Sequence, residues 1–132
     1  MKEPVIPQDD KARVKTLQCL NILDTQREER FDRIARLAAQ LFQCEFASIS
    51  FIDEKRQWFK SLVNLSLEQT TRETAFCAHT INHASTFIVP DTHQSETFKG
   101  NPFVINAPHI RFYAGTPIVV NGHRIGALCV FD

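Results

Sequence analysis

The chain has 132 residues, of which 43% are hydrophobic, and its fifteen basic residues are balanced by fifteen acidic residues. A formal net charge of zero argues against nucleic acids and anionic membranes as partners, because both are recognised through an excess of Lys and Arg. A single domain of this length buries roughly two thirds of its unfolded surface, so its core requires no disulfide bond or metal ion.

The N-terminal part of the chain predicts a flexible lead and a first helix. Residues 1–8 contain two prolines, Pro4 and Pro7, which disfavours regular structure. Asp9 or Asp10 can then cap a helix that ends near Leu23.

A second helix is predicted to begin at a capping box formed by Thr25 and Glu28. Its four arginines alternate with acidic residues, which is typical of a solvated helix face rather than of nucleic-acid binding. The residues predicted to face the core recur at steps of three and four: Phe31, Ile34, Ala35, Ala38, Leu41 and Phe42.

The middle of the chain predicts a β-hairpin followed by a loop. Residues 46–52 are rich in β-forming side chains, and a short polar turn connects them to a second strand at residues 57–62. Trp58 is the single tryptophan, and we expect it to pack in the core. Residues 63–71 are predicted to form a loop.

A short helix, a strand and a long connection are predicted next. Apolar spacing indicates a helix at residues 74–83, and a β-rich run indicates a strand at residues 86–90. Residues 91–107 form a connection of a length that is usually functional within a compact domain. We expect this connection to contain one or two helical turns and to cover the mixed face of the hairpin that closes the chain.

The closing hairpin turns at Asn121 and Gly122, because both residues tolerate the positive φ that a type I′ turn needs. With these two residues as the loop, one face carries the predicted cross-strand pairs Val120–His123, Ile118–Ile125, Thr116–Ala127, Ala114–Cys129 and Phe112–Phe131. The other face, which is mixed in polarity and suits a polar pocket, carries Val119–Arg124, Pro117–Gly126, Gly115–Leu128, Tyr113–Val130 and Arg111–Asp132. The whole order of elements predicts an α+β domain with about five to six mostly antiparallel strands and helices on both faces of the sheet.

Four stretches resemble the GAF domains at the N-termini of bacterial sensor histidine kinases and GGDEF-type diguanylate cyclases: residues 21–32, 53–61, 72–81 and 108–132. The third contains Arg72-x-x-x-Phe76-Cys77-x-His79-x-Ile81, which is similar to the motif beside the ligand pocket of that family. The resemblance implies one GAF-like, PAS-related domain over residues 1–132 that senses a small molecule without a cofactor and is not itself an enzyme. The resemblance also leads us to expect the long C-terminal helix of such domains, which is missing from the sequence to Asp132.

The resemblance and the mixed hairpin face together nominate a set of ligand-binding residues. Arg111 suits a carboxylate or phosphate, because its planar guanidinium donates two parallel hydrogen bonds. Equally, Arg111 can form a structural ion pair with Asp132 or with Asp91, and the sequence does not separate these alternatives. The full candidate set is Phe76, Cys77, His79, Asp91, Phe98, Asn101, Arg111 and Tyr113.

The four cysteines lie far apart in the sequence and form no C-x-x-C pair, and the first ten residues do not resemble a secretion signal. We therefore expect reduced thiols and a cytoplasmic location. No apolar run approaches the roughly eighteen residues of a membrane-spanning helix, so we expect no direct membrane contact.

Two alternatives to ligand sensing remain open at this stage. The first is an interaction module that binds no small molecule and aligns the output domains of a homodimer, which a pocket packed shut by Phe76, Phe98 and Phe112 would favour. The second is a redox or metal sensor built on Cys77, His79 and His83. The sequence indicates neither a clear fourth metal ligand nor a resolving cysteine, so we expect no metal site. The expected function remains the sensing of a small molecule by a homodimer.

Overall fold

A computed structural model describes all 132 residues and shows one six-stranded sheet with helices on both faces. The strand order is β3-β2-β1-β6-β5-β4, and every neighbouring pair is antiparallel, which confirms the predicted fold class. The helices are α1 (Asp10–Cys19), α2 (Glu29–Phe42), α3 (Phe76–Thr80) and α4 (Pro102–Ile105). The strands are β1 (Phe46–Ile52), β2 (Arg56–Leu62), β3 (Gln69–Thr71), β4 (Phe87–Val89), β5 (Tyr113–Val120) and β6 (His123–Phe131).

Strands β1 and β6 form the centre of the sheet and divide the core into two sides. Every residue of β1 is buried, as expected for a strand with helices over both faces. The main cluster lies on the side of α3 and includes Phe46, Ile52 and Phe131. Two smaller clusters lie under α1 and α2, and the first of them contains Trp58, which confirms its prediction as a core residue.

Helix α2 packs on the sheet through alanines rather than through its large apolar side chains. Ala35, Ala38 and Ala39 are buried, because their small side chains allow the helix to approach the strands closely. Ile34, Leu41 and Phe42 were predicted to face the core but are 45%, 68% and 67% exposed, so this part of the predicted core is wrong.

The predicted capping box at the start of α2 is also wrong, since the helix begins at Glu29 with no side-chain cap. The Thr25 hydroxyl instead donates to the Ile22 carbonyl at 2.6 Å. The Glu28 carboxylate binds the ammonium of Lys60, a fully buried side chain of β2, at 2.6 Å. A buried Lys60 ammonium without a counter-ion would cost more free energy than a missing cap at an exposed helix end, which explains the difference.

Helix α1 is anchored by buried charges and ends at Cys19, earlier than predicted. The Asp10 carboxylate accepts hydrogen bonds from Arg13 at 2.9 Å and from Arg72 at 2.7 and 3.0 Å. The Arg13 guanidinium also donates to the Ile52 carbonyl at 2.6 Å. These bonds connect α1 to the end of β1 and to the turn before α3, and we name Asp10, Arg13 and Arg72 the anchor cluster.

The closing hairpin turns where predicted, with Asn121 at φ 50° and Gly122 at φ 77°. Val120 faces His123 and Val119 faces Arg124 as predicted, but a bulge at Ile125 then shifts the register by one residue. The remaining predicted pairs are therefore wrong. The observed pairs are Ile118–Gly126, Pro117–Ala127, Thr116–Leu128, Gly115–Cys129, Ala114–Val130 and Tyr113–Phe131, and Phe112 exchanges backbone hydrogen bonds with Asp132.

The bulge is explained by the packing of two consecutive residues of β6. Ile125, the extra residue, turns into the cluster that contains Leu17 and Trp58. Gly126 then lies so close to β1 that an added Cβ would be 2.1 Å from the Ser50 carbonyl oxygen, so only glycine fits. The shift brings Tyr113, Cys129 and Phe131 onto one face of the sheet.

The segments between the strands are shorter or more structured than predicted. The helix predicted at residues 74–83 consists of a 3₁₀ turn, Arg72–Thr74, followed by the five-residue α3. Part of the predicted loop at residues 63–71 is strand β3. The connection at residues 91–107 contains a 3₁₀ turn, Thr92–Gln94, and helix α4, as expected. None of the helices combines the length and the apolar character that crossing a lipid bilayer would require.

Candidate functional site

A cavity of about 50 Å³ lies between the sheet and the segments that cover its α3 side. Its wall is formed by β1, β2, β3, β5 and β6 together with α3, α4 and the loop after β2. Eleven of the sixteen lining residues are hydrophobic, and the others are Ser48, Gln57, Thr70, Thr74 and Tyr113. The lining contains no Asp, Glu, Lys, Arg or His side chain, so the cavity is neutral while the Cys77 thiol is protonated.

Two thiols and three hydroxyl groups form a connected network beside this cavity. The Sγ atoms of Cys77 and Cys129 lie 3.8 Å apart, and the Tyr113 hydroxyl donates to Cys77 Sγ at 3.2 Å. Ser48 Oγ lies 2.9 Å from Cys129 Sγ, and Thr80 Oγ1 lies 2.7 Å from the Tyr113 oxygen. We name Ser48, Cys77, Thr80, Tyr113 and Cys129 the thiol cluster.

A glycine makes room for this network. Gly115 lies opposite Cys129 in the sheet, and a Cβ added to it would be 2.3 Å from the Tyr113 oxygen and 3.0 Å from Thr80 Oγ1. The absence of a side chain at Gly115 therefore lets the Tyr113 hydroxyl lie over β5 and reach both Thr80 and Cys77.

A second polar group of the cavity is supplied by β1, β2 and β3. The Gln57 amide nitrogen donates to Ser50 Oγ at 2.8 Å, and the Thr70 hydroxyl donates to the Gln57 carbonyl oxygen at 3.1 Å. Both bonds fix the orientation of the amide. An amide has two N–H groups and two lone pairs, so Gln57 retains one donor and one acceptor site beyond these bonds.

The hydrogen bonds give the two thiols unequal acidity. The Cys129 thiol, together with Ser50 and Tyr113, lowers the pKa of Cys77 to about 7 against the opposing effect of burial. The bond to Cys77 and burial raise the pKa of Cys129, and burial raises the pKa of Tyr113. Cys77 is therefore the more acidic member of the pair, and its thiolate is stabilised by donors on neighbouring elements.

Three of the predicted site residues, Phe76, Cys77 and Tyr113, line the cavity. Phe98 stacks on Phe76 with ring centroids 4.2 Å apart, and His79 meets the Phe98 ring edge-on at 4.7 Å. Phe98 and His79 therefore support the cavity wall from behind rather than facing its interior. The connection at residues 91–107 covers the side of the sheet that carries Tyr113, through Phe98. The predicted mixed face is not formed as such, because Leu128 and Val130 lie on the opposite side.

His79 on α3 and His83 in the turn after it do not form a ligand cluster with Cys77. Burial, with a smaller contribution from His83, lowers the pKa of His79 to about 4. His83 stacks on Phe87 at 4.5 Å, away from the thiol cluster. No group of three or more His, Cys, Asp or Glu side chains is arranged to hold a metal ion.

Asp91, Asn101 and Arg111 lie outside the cavity, and their side chains form hydrogen bonds with backbone groups. Asp91 accepts a hydrogen bond from the His93 amide at 2.9 Å, and Asn101 caps α4 while donating to the Thr74 carbonyl at 3.0 Å. The Arg111 guanidinium donates to the carbonyls of Val104 at 3.0 Å and Ile110 at 3.2 Å. Neither predicted ion pair of Arg111, with Asp132 or with Asp91, is formed.

Sequence reasoning missed five residues of the site that carry hydroxyl, amide or thiol groups: Ser48, Gln57, Thr70, Thr74 and Cys129. Ser48 and Ser50 repeat with the period of a strand inside an otherwise apolar run, and this alternation was a usable signal. Thr70 gave none, since β3 was predicted as loop. Cys129 was placed on the wrong face by the unshifted register.

The chain is similar in sequence to known proteins. A family model described as GAF domain matches residues 26–132. A cyclic di-GMP phosphodiesterase from Pseudomonas aeruginosa is 38% identical over 133 aligned positions, which cover 100% of this chain and 23% of that protein. The chain thus spans about a quarter of the length of this relative.

Two solved structures illustrate the shared fold. The GAF domain of a phosphoenolpyruvate-protein phosphotransferase from Acinetobacter has a TM-score of 0.60 at 14% identity, over 92% of this chain and 77% of the other. A free methionine-R-sulfoxide reductase from Neisseria meningitidis, solved with its substrate, has a TM-score of 0.62 at 14% identity, over 100% and 81%. At these identities the likeness shows the fold alone.

Proposed function

Because this chain belongs to the GAF domain family, we propose that it is a non-catalytic regulatory domain of a bacterial signalling protein and senses a small uncharged molecule in the cytoplasm. The observation that carries the proposal is the neutral cavity, in which hydroxyl, thiol and amide groups meet aromatic rings. Few polar groups in an apolar enclosure are typical of ligand sites in proteins.

The wall of the cavity defines the chemistry of the ligand. A charged ligand would lose its hydration without gaining a partner of opposite charge, which is costly in a buried site. An uncharged ligand can hydrogen-bond to Gln57 and Ser48 while its apolar part lies against Phe76 and Phe131. A cavity of about 50 Å³ holds a molecule of a few heavy atoms, and a larger ligand requires the covering segments to move.

Ligand binding can affect the rest of the protein through α3 and α4. Both helices are short, and both contribute to the cavity wall, through Phe76 and Phe103. A ligand that binds one arrangement of these segments more tightly shifts the population toward it. The similarity to a cyclic di-GMP phosphodiesterase favours an output that acts on cyclic di-GMP over a histidine kinase.

Native mass spectrometry of the freshly purified protein tests this proposal. We expect extra mass that is lost on denaturation and belongs to an uncharged molecule. The variant Ala75→Leu, which adds a side chain inside the cavity, should lose this mass. Arg111→Ala is the matched control and should retain it, because Arg111 lies outside the cavity. Loss of the ligand in Arg111→Ala alone would contradict the assignment of the site.

A second candidate function, a homodimeric interaction module, is favoured by the surface of α2. Besides the alanine face, α2 carries a stripe of large apolar residues that are 45% to 68% exposed. We name this surface the α2 stripe, and it consists of Ile34, Leu37, Leu41 and Phe42. Phe42 also borders an apolar groove of about 500 Å³ that contains Ile88 and Phe112. Large exposed apolar patches commonly mark interfaces between proteins.

This second function would be favoured by a pocket that Phe76, Phe98 and Phe112 pack shut, but only two of these rings lie beside the cavity. Phe76 and Phe98 stack together beside the cavity, but Phe112 lies on the opposite face of the sheet, in the groove. Sedimentation equilibrium distinguishes the candidates: a dimer should dissociate in Leu37→Glu and persist in Gln40→Glu, which adds the same charge on the solvated side of α2. A wild-type protein that is monomeric at all accessible concentrations would exclude the module.

A further inference from the structure

We propose that Cys77 and Cys129 are a redox-active pair, which a small hydroperoxide converts into a disulfide bond between α3 and β6. The two residues are 52 positions apart in sequence, yet their Sγ atoms lie 3.8 Å apart. Both are free thiols in a buried site. This modification goes beyond the proposed function, because it does not require the cavity to bind a ligand.

The geometry is close to that of a bonded pair. A disulfide bond is about 2.05 Å long, so the sulfur atoms must approach each other by about 1.8 Å. Cys77 lies on a five-residue helix that is connected on both sides by short turns, whereas Cys129 lies in the centre of the sheet. Side-chain rotation with a small shift of α3 therefore supplies the movement.

The surroundings of Cys77 suit a nucleophilic sulfur. The Tyr113 hydroxyl donates to its sulfur at 3.2 Å, and the Cys129 thiol faces it from the other side. Both donors stabilise the thiolate, which is the form that attacks peroxides. The lowered pKa of Cys77 agrees with this arrangement.

The cavity gives a small oxidant access to the buried pair. Cys77 and Cys129 both belong to its wall. Hydrogen peroxide is scarcely larger than water and fits a cavity of about 50 Å³. Glutathione disulfide is a tripeptide dimer that cannot enter it. The oxidant class is therefore a small hydroperoxide rather than a bulky disulfide.

The reaction balances in two steps. The Cys77 thiolate attacks one peroxide oxygen, the O–O bond breaks, and the leaving hydroxide takes a proton to become water, which leaves a sulfenic acid on Cys77. The Cys129 sulfur then attacks the Cys77 sulfur, the S–O bond breaks, and a second water leaves with the Cys129 proton. In sum, two thiols lose two electrons and two protons, and hydrogen peroxide is reduced to two molecules of water.

The chain contains its own comparison, since the two other cysteines lack these features. Cys19 is exposed on α1, and Cys44 is partly exposed with its sulfur donating weakly to the Phe42 carbonyl at 3.6 Å. Burial raises the pKa of Cys44, which lowers its thiolate fraction. A Cys19→Ser/Cys44→Ser double variant keeps only the proposed pair.

The test is non-reducing peptide mapping by mass spectrometry after treatment with hydrogen peroxide or, separately, with glutathione disulfide. We expect peroxide to link the Cys77 and Cys129 peptides, with loss of two hydrogen atoms, in the wild type and in the Cys19→Ser/Cys44→Ser variant. Glutathione disulfide should form this link at least tenfold more slowly. The proposal fails if peroxide leaves the pair unlinked, oxidises Cys77 to a sulfinic acid instead, or links Cys19 or Cys44 first.

Because the wild-type protein itself is mapped, the result does not depend on whether a cysteine variant folds. A missing disulfide in protein freed of any ligand would overturn the redox pair and leave the sensing proposal intact, because a bound ligand would itself keep peroxide out of the cavity. A disulfide in protein without a ligand would support the redox pair alone.

Discussion

The anchor cluster and the thiol cluster are both polar networks in the core, but only the first contains carboxylate and guanidinium groups. Asp10, Arg13 and Arg72 form hydrogen bonds with one another and with nearby carbonyls. The thiol cluster contains hydroxyl and sulfhydryl groups alone. Buried charges must keep their partners, because an unpaired ion in the interior is very unfavourable, whereas neutral groups can exchange partners at small cost. In this core the charged groups of the anchor cluster therefore stabilise the fold, and the groups of the thiol cluster remain available for chemistry.

The largest effect is expected from removal of the anion that holds the anchor cluster together. Asp10→Ala leaves two buried arginines without a counter-ion and should lower the free energy of unfolding by about 3 to 5 kcal/mol. Each arginine already has one nitrogen without a partner, Arg13 Nη2 and Arg72 Nε, so the cluster has no spare acceptor to compensate.

Urea denaturation followed by circular dichroism measures this loss. Asp9→Ala is the matched control, since the Asp9 carboxylate is about half exposed and pairs only with His123 at the surface. We expect it to change stability by less than about 1 kcal/mol. Equal effects of the two substitutions would contradict the structural role of the anchor cluster.

A smaller effect is expected in the neutral network. Tyr113→Phe removes the hydroxyl that connects Thr80 to Cys77 and should cost about 1 kcal/mol, typical of one buried hydrogen bond. It should also slow formation of the Cys77–Cys129 disulfide by peroxide, because the thiolate loses a donor.

A double-mutant cycle with Thr80→Val separates these effects. The two substitutions should be less than additive in stability, since they remove the same bond, while Thr80→Val alone should slow oxidation less than Tyr113→Phe does. Full additivity would mean that the hydroxyl groups do not act as one network.

The smallest effect concerns pH. Burial lowers the pKa of His79 to about 4, below the value of about 6.5 in an unfolded chain. The unfolded state therefore binds the proton first, and stability is lost as the pH falls from about 7 to about 4. After allowance for the exposed part of the ring, we expect this contribution to be about 1 kcal/mol.

Denaturation curves at several pH values test this contribution. His79→Phe, which preserves the aromatic contact with Phe98, should reduce the slope of stability between pH 4 and 7, and His93→Phe at an exposed position should not. An unchanged slope in His79→Phe would show that the ring is protonated equally in both states.

Much of the fold could be predicted from local sequence patterns. The bounds of β1, the turn at Asn121 and Gly122, and the order of the elements all follow from periodicity and turn chemistry. The bulge at Ile125 could not be predicted, because its cause is the packing of two other elements, α1 and β1, against β6. The exposed side of α2 was missed for a related reason, since apolar periodicity does not distinguish a core face from an exposed apolar face.

The candidate site was less predictable than the fold. Phe76, Cys77 and Tyr113 were found through the family motif and the closing hairpin, but the contact between Cys77 and Cys129 depends on the shifted register. Arg111 attracted a ligand-binding hypothesis because of its charge, yet its partners are carbonyls of a neighbouring helix and loop. A long side chain selects partners through tertiary structure, which the local sequence does not contain.

The central claim is that the cavity accepts uncharged molecules and that the charged residues of this domain are structural. Acetamide and acetate have nearly the same size and shape and differ in charge, so a pair of titrations followed by ¹H–¹⁵N NMR tests the claim directly. We predict that acetamide shifts the amide signals of Ser48, Gln57 and Cys77 with saturation, and that acetate does not. Saturable shifts at these residues with acetate, or shifts centred on Arg111 with either compound, would contradict the account.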